Sequence, residues 1–251
     1  MTGVVVVSPH LDDAVLSAWL VLAESGPATV VSCFAGVPVS SVRGPWDART
    51  GAGSAPDAVA TRRAEDIRAL GFTGSRPVHL DLLDEQYRDG APAPHAELVR
   101  LLRDQCRGAS EVWLPAGLGG HTDHLATRDA GLAAIAPGQR VRVYADLPYA
   151  GQPGWPVEVT GALRDLVVNG MLQALRRPRQ AQQWRAILDG AGIRADAAGR
   201  HVVELTRPQF RAKLRTLRAY ESQLAALRCG SRHPLRERRL FAYEVYWAFE
   251  R

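Results

Sequence analysis

The sequence predicts an α/β protein built on a Rossmann-like, open and mostly parallel sheet with helices on both faces. Three observations carry this reading. Short, continuously apolar, β-branched runs, such as VVVV at residues 4–7 and ATVVSCFA at 28–35, have the pattern of strands buried on both faces. Between such runs the apolar residues recur every three or four positions, the period of a helix with one buried face. Strand and helix signals alternate through the first 147 residues, the order that builds parallel βαβ units.

The elements follow in turn. Residues 4–7 are the first strand. From Asp13, the residues Val15, Leu16, Trp19, Leu22 and Ala23 share one helical face until Ser25-Gly26-Pro27 stops the helix. Residues 28–35 are the second strand. Residues 36–56 are rich in Gly, Pro, Ser and Arg, show neither period and contain Trp46; a loop of that length usually serves a function. A helix over 57–70 ends at Gly71, PVHLDLL around Val78 is the third strand, and Pro92 and Pro94 lead into a helix over 96–106. EVWLP at 111–115 is the fourth strand, followed by a glycine-bearing loop over 116–122 and a helix over 123–135. VRVYADL at 141–147 is the fifth strand. Beyond Pro148 a Pro/Gly break precedes a helix over 180–188, a short strand over 201–205 and a helix over 209–227. We expect a single domain over 1–251, with its core in 1–147 and an elaboration of the same domain in 148–251.

A chain of 251 residues with 46% hydrophobic content can bury a substantial core. The first apolar helical stretch, 15–23, is too short to span a bilayer, and no basic region with a cleavage site precedes it, so a soluble, cytoplasmic protein without a membrane partner is expected. Three widely spaced cysteines, Cys33, Cys106 and Cys229, form no CxxC pair and suggest neither a disulfide framework nor a thiolate zinc site. The net charge of +5 comes from arginine, because Lys213 is the only lysine. Arginines cluster at 176–179 and across 228–239, but without the interleaved aromatics of a base-stacking platform; solvated faces are expected, and no nucleic-acid partner.

In an open parallel sheet, ligands bind beyond the carboxyl ends of the strands where the strand order reverses. With the order 3-2-1-4-5 that crevice lies between strands one and four. The loop after strand one carries HLDD, with His10, Asp12 and Asp13; the loop after strand four leads into GGHTDH, with His121, Asp123 and His124. Imidazole and carboxylate donors suit zinc, whose catalytic sites keep three protein ligands and leave a position for water. His10 and Asp13 are three residues apart, as are His121 and His124, a spacing that puts each pair on one side of a helical turn. Six candidate ligands exceed one site, so some must serve the chemistry instead. Asp12 or Asp13 could also cap the following helix, a role compatible with coordination. A dinucleotide site is disfavoured, since no GxGxxG follows strand one and paired aspartates repel a pyrophosphate. Two other functions compete: a non-haem iron(II) oxygenase using the same two-histidine, one-carboxylate set, and a non-catalytic basic binding protein. The α/β alternation, in place of a many-stranded barrel, argues against the oxygenase.

SPHLDDAVLS followed by GHTDH resembles the PIG-L/LmbE-like family of zinc-dependent N-deacetylases, which act on N-acetylglucosaminyl and related amino-sugar conjugates. RRAEDIRALGF at 62–72 and KLRTLRAYESQ at 213–223 are similar to two further family helices, so the resemblance spans nearly the whole chain apart from 147–198. It implies a Zn2+ cofactor held by His10, Asp13 and His124, with Asp12 as general base. It also implies that His121, oriented by Asp123, steadies the oxyanion, and that either His121 or the protonated Asp12 gives the leaving amine its proton. The partner implied is a small-molecule N-acetyl amino-sugar. Leu11 stands where the family usually has proline, and Ala14 where it has an acidic residue; neither change removes a ligand or the base, but the second takes away a supporting carboxylate. For substrate contacts, Arg62 or its neighbour Arg63 could hold sugar hydroxyls or a phosphate, and Asp84, beyond the third strand, could accept hydrogen bonds from sugar hydroxyls.

Overall fold

A computed structural model describes residues 3–39, 43–151, 155–160, 179–194, 199–224, 235 and 238–250. Its strands are β1 (Gly3–Ser8), β2 (Thr29–Ser32), β3 (Arg76–His79), β4 (Ala109–Pro115), β5 (Arg140–Tyr144), β6 (Arg200–Glu204) and β7 (Tyr243–Glu250). They form one sheet in the order β3-β2-β1-β4-β5-β7-β6. The first five run parallel in the order the sequence predicts, and the switch of direction falls between β1 and β4. β1 is the middle one of the five parallel strands, and Val5, Val6 and Val7 are all buried, as a two-sided apolar strand requires.

The sequence reading placed no strand at β7. This strand runs antiparallel to β5, and β6 runs antiparallel to β7, so the pair extends the sheet past its parallel part. Val245 and Trp247 alternate into the core, and Val141 and Val143 of the neighbouring β5 are fully buried.

The helices are α1 (Asp13–Ser17), α2 (Trp19–Glu24), α3 (Pro45–Thr50), α4 (Ala55–Gly71), α5 (His95–Cys106), α6 (Thr122–Ala134), α7 (Val157–Thr160), α8 (179–190), α9 (Arg207–Leu217), α10 (221–224) and α11 (Arg238–Phe241). The single helix expected from Asp13 is broken at Ala18, whose φ of −137° is not helical. The cause lies on β7: the Glu244 carboxylate accepts the amides of Trp19 at 3.1 Å and Leu20 at 3.0 Å, capping α2 with a buried anion. Lys213 of α9 balances that charge from 2.7 Å. The expected helix over 209–227 ends at Leu217, and its last residues, 225–227, lie outside the described ones.

The long aperiodic stretch contains α3, which begins at Pro45 and stops at Gly51 with φ of +73°. Cys33 and Cys106 are buried free thiols. No described helix is long and apolar enough to cross a membrane. The arginine clusters fall mostly outside the described residues; Arg238, which is described, pairs with Glu204 at 3.5 Å.

Candidate metal centre

The chain beyond β1 turns tightly onto α1. Ser8 Oγ donates to the His10 carbonyl at 2.6 Å and accepts the Ala14 amide at 3.0 Å, while the His10 amide donates to Asp13 Oδ2 at 2.9 Å. These bonds fold Asp13 back over His10. Asp12 occupies the N-cap position of α1, yet its carboxylate makes no capping bond. It faces a cavity of about 480 Å³ instead. On the other side of the switch point, His121 caps α6 by accepting the Asp123 amide on Nδ1 at 3.3 Å, and His124 is buried in the first turn. Gly119, at φ of +99°, lets the loop pass Tyr149: a Cβ there would stand 2.6 Å from the tyrosine Cβ. Tyr149 in turn packs its ring 5.4 Å from that of His124.

His10, Asp13 and His124 converge. Asp13 Oδ2 lies 3.2 Å from His10 Nδ1 and 3.3 Å from His124 Nε2. The far nitrogen of each imidazole is held by a second carboxylate: His10 Nε2 is 3.1 Å from Asp123 Oδ2, and His124 Nδ1 is 2.7 Å from Asp146 Oδ1. Each of those carboxylates is itself pinned. Asp123 takes Arg88 at 2.6 Å and the Glu85 amide at 2.9 Å; Asp146 takes the Leu118 amide at 2.9 Å. Holding the outer nitrogen of a histidine fixes its tautomer and turns the inner nitrogen toward a metal.

The donor set fits a divalent cation. His124 Nε2 is buried and has no hydrogen-bond partner among the described residues, although an unpaired buried nitrogen is costly. Two groups of side chains could hold an ion, His10 with Asp13 and His124, and His10 with His121 and Asp123. The first is the better cradle, because Asp123 is already engaged by Arg88 and the Glu85 amide whereas, among the described residues, His124 Nε2 has no hydrogen-bond partner and faces only the Asp13 carboxylate.

Electrostatics follow the same division. Burial pushes Asp12 up, and the adjacent Asp13 charge adds to it, so its carboxyl lies at about 7 despite the opposing pull of His10 and Arg62. Asp13 is held well below the usual carboxylate range, since the charges of His124 and His10 outweigh its burial. His124 is raised to about 9 because Asp13 and Asp146 outweigh its burial, and His10 is raised by Asp123 and Asp13. Burial, together with the charges of His10 and His124, lowers His121.

The six motif residues therefore meet in one place, but their division of labour differs from the expectation in one respect. The Asp123 carboxylate does not orient His121. It holds His10 and Arg88, and only its backbone amide reaches His121, because the second residue of α6 points its side chain into the protein. Both expected substrate-contact residues, Arg62 and Asp84, line the cavity, and each also has partners within the protein. Arg62 is buried and ion-paired at 2.7 Å with Asp47 of α3, which also accepts Tyr87 Oη at 2.8 Å, so the pair fastens α3 beside the cavity. Arg63 is spent on the Ala35 carbonyl and Asp81. Asp84 does line the cavity, while bonding the Gln86 amide at 3.0 Å and its side chain at 2.9 Å.

Sequence reasoning gave no individual role at the site to Asp146, Arg88, Tyr149 or Trp46. Asp146 had a usable signal, an acidic residue in ADL just past the strand beside β4. It also supplies a supporting carboxylate to the cluster in which Ala14 offers none. Trp46 lines the outer cavity, its indole donating to Gln223 at 2.6 Å and its amide to Gln86 at 3.1 Å.

The sequence profile of the PIG-L family, described as GlcNAc-PI de-N-acetylase, matches residues 5–135, just over half of the chain and both motif-bearing loops. The chain belongs to the PIG-L family. Among its relatives, 2'-N-acetylparomamine deacetylase of Streptomyces fradiae is 32% identical over 181 residues, 63% of this chain and 61% of that protein. The chain thus spans about three fifths of the length of that curated relative. The fold extends the similarity further. A teicoplanin deacetylase, solved in a zinc-inhibited form, is 26% identical with a TM-score of 0.69 over 98% of this chain and 97% of its own. The A40926 pseudoaglycone deacetylase is 26% identical with a TM-score of 0.66 over 99% of this chain and 98% of its own.

Proposed function

We propose that the protein is a zinc-dependent hydrolase that removes the N-acetyl group from an N-acetylglucosamine-type amino-sugar conjugate, a soluble metabolite of the cytoplasm. The observation that carries this reading is Asp12. It is a carboxylate with a pKa near neutrality, free of any capping bond, at the cavity face of the His10, Asp13 and His124 cluster. Family membership supports the reaction class, and the deacetylases of 2'-N-acetylparomamine, teicoplanin and the A40926 pseudoaglycone among its relatives support the substrate class.

His10, Asp13 and His124 would hold the ion. When bound, zinc supplies Lewis acidity toward the acetamide carbonyl and lowers the pKa of a water to about 7. Asp12 takes a proton from the attacking water as its oxygen adds to the carbonyl carbon; a carboxyl near pH 7 is matched both to accepting that proton and to returning it. His121 receives the Asp123 amide on Nδ1, so its own proton sits on Nε2 and can be donated as a hydrogen bond to the developing oxyanion. Its lowered pKa keeps it neutral, so the proton needed by the departing amine comes back from Asp12. The C–N bond then breaks to give acetate and a free amine.

Acetate release from a panel of N-acetylated pseudodisaccharides and N-acetylglucosaminyl conjugates tests this reading. Zinc-loaded protein should cleave at least one, and Asp12→Ala should lower kcat by about 100-fold or more while keeping its zinc. Stoichiometric zinc with no acetamide cleaved across the panel would refute it.

A further inference from the structure

We infer that Arg88 is a positioning residue for the metal centre: its guanidinium holds Asp123, and through it His10, while closing the loop that forms one wall of the cavity. The inference rests on His10, Asp13 and His124 being the metal cradle, and it goes beyond the reaction assigned to that cradle.

Arg88 follows a short turn, Glu85–Tyr87, beyond β3, and its side chain is 8% exposed. All of its guanidinium nitrogens have partners. Nη2 donates to Asp123 Oδ1 at 2.6 Å, Nη1 to the Leu83 carbonyl at 2.7 Å, and Nε to the Ala91 carbonyl at 3.1 Å. The last two bonds tie together both ends of the 83–91 loop, which contributes Asp84, Glu85, Gln86, Asp89 and Gly90 to the cavity. The guanidinium also lies over the Phe34 ring at 5.1 Å, and that ring is 6.2 Å from the His10 imidazole. Planar, bonded at each of its three nitrogens and packed against an aromatic face, the group has little freedom to move.

The consequence reaches His10. Asp123 is completely buried, and a lone buried carboxylate beside the cluster would be costly. Arg88 pairs with its Oδ1, and Asp123 Oδ2 lies where it accepts His10 Nε2–H, which leaves the Nδ1 lone pair facing the space shared with Asp13 and His124. The two histidines are therefore supported unequally. Asp146 behind His124 is held by a backbone amide, whereas Asp123 behind His10 is held by an arginine that also shapes the substrate wall. One side chain thus links cavity wall to metal ligand.

The test is zinc affinity, measured on the full-length, zinc-loaded protein by competition with a chromophoric chelator, together with thermal melting. Arg88→Gln should weaken zinc binding roughly 10- to 100-fold, the usual range for lost outer support of a metal ligand. Arg88→Lys keeps the charge but cannot reach all three partners at once, and should fall between that variant and the parent; it decides the matter if the glutamine variant does not fold. Arg128→Gln removes an equally buried arginine, bonded to the Ala116 and Ile187 carbonyls, and should keep the parent affinity, separating loss of positioning from general loss of packing. A folded Arg88→Gln or Arg88→Lys protein with zinc affinity within about twofold of the parent overturns the inference. Because zinc affinity is read without turnover, a protein that binds zinc but deacetylates nothing would count against the proposed reaction and leave this result to stand or fall alone.

Discussion

His124 Nδ1 and Asp146 Oδ1 lie 2.7 Å apart, with each side chain only 1% exposed. The pair links the first turn of α6 to the chain just past β5, so neighbouring parallel strands meet at the metal cradle. Asp146 leaves His124 only Nε2 to offer, and that atom has no hydrogen-bond partner among the described residues.

Asp146→Asn should therefore weaken zinc binding by about 10- to 100-fold, because an amide can present its NH2 group to Nδ1 and allow the wrong tautomer. Isothermal titration with zinc would measure the loss. A protein that keeps parental affinity would mean that the ring is positioned by packing against Tyr149 alone.

Zinc uptake by the metal-free protein should also depend steeply on pH. His124 is raised to about 9 and His10 is raised as well, so at neutral pH the free cluster carries protons that the ion must displace. The sign follows directly. Below about 9 each fall of one pH unit lowers apparent affinity about tenfold for the proton displaced from His124, and the proton displaced from His10 adds to the slope in the same direction. Proton release measured in weakly buffered solution at pH 7 should exceed one per zinc; a value near zero would show that the cluster is already deprotonated.

The parallel half of the fold was readable because its signals are local. Continuous apolar runs mark β1 and β4, and the two histidine motifs sit directly after them. Strand order then brought His10 toward His124 without any contact information. What escaped the reading depends on partners distant in sequence. The break at Ala18 is caused by Glu244, more than two hundred residues away, and nothing in the helical pattern of 13–25 announces it. Arg62 looks like a free cation on a helix, since its partner Asp47 sits in an aperiodic stretch. β7 has alternating burial, but βαβ alternation does not imply an added antiparallel pair, and the charge of Glu244 at a buried position disguises the strand.

Trp46 offers a test of the cavity's outer half. Its indole is pinned to Gln223 on one edge, and its helix is tied down through Asp47, so the ring presents a fixed wall to any group carried beyond the acetamide of the proposed substrate. Trp46→Ala should raise KM by about tenfold for conjugates that carry a second ring, consistent with about 1–2 kcal/mol of lost aromatic contact, and should leave kcat nearly unchanged. The parallel assay on a monosaccharide N-acetyl substrate should show little change. An equal loss on both substrates would place the tryptophan's role in folding of the 36–56 stretch instead.

Lys213 and Glu244 form the buried ion pair behind the kink between α1 and α2, at 2.7 Å and with the lysine wholly buried. Burial lowers the lysine pKa and the glutamate charge opposes that shift, so the cation persists only while its partner is present. Glu244→Gln removes the charge that balances Lys213 and weakens the cap on the Trp19 and Leu20 amides; breaking one side of a buried pair typically costs about 3–5 kcal/mol. Lys213→Met leaves Glu244 with its two amide donors and should cost less. The double variant should be more stable than Glu244→Gln alone, because it no longer strands a buried ammonium. Urea melts of the four proteins measure this directly. Additive losses would mean that water reaches the pair and that the α1–α2 junction is held by packing alone.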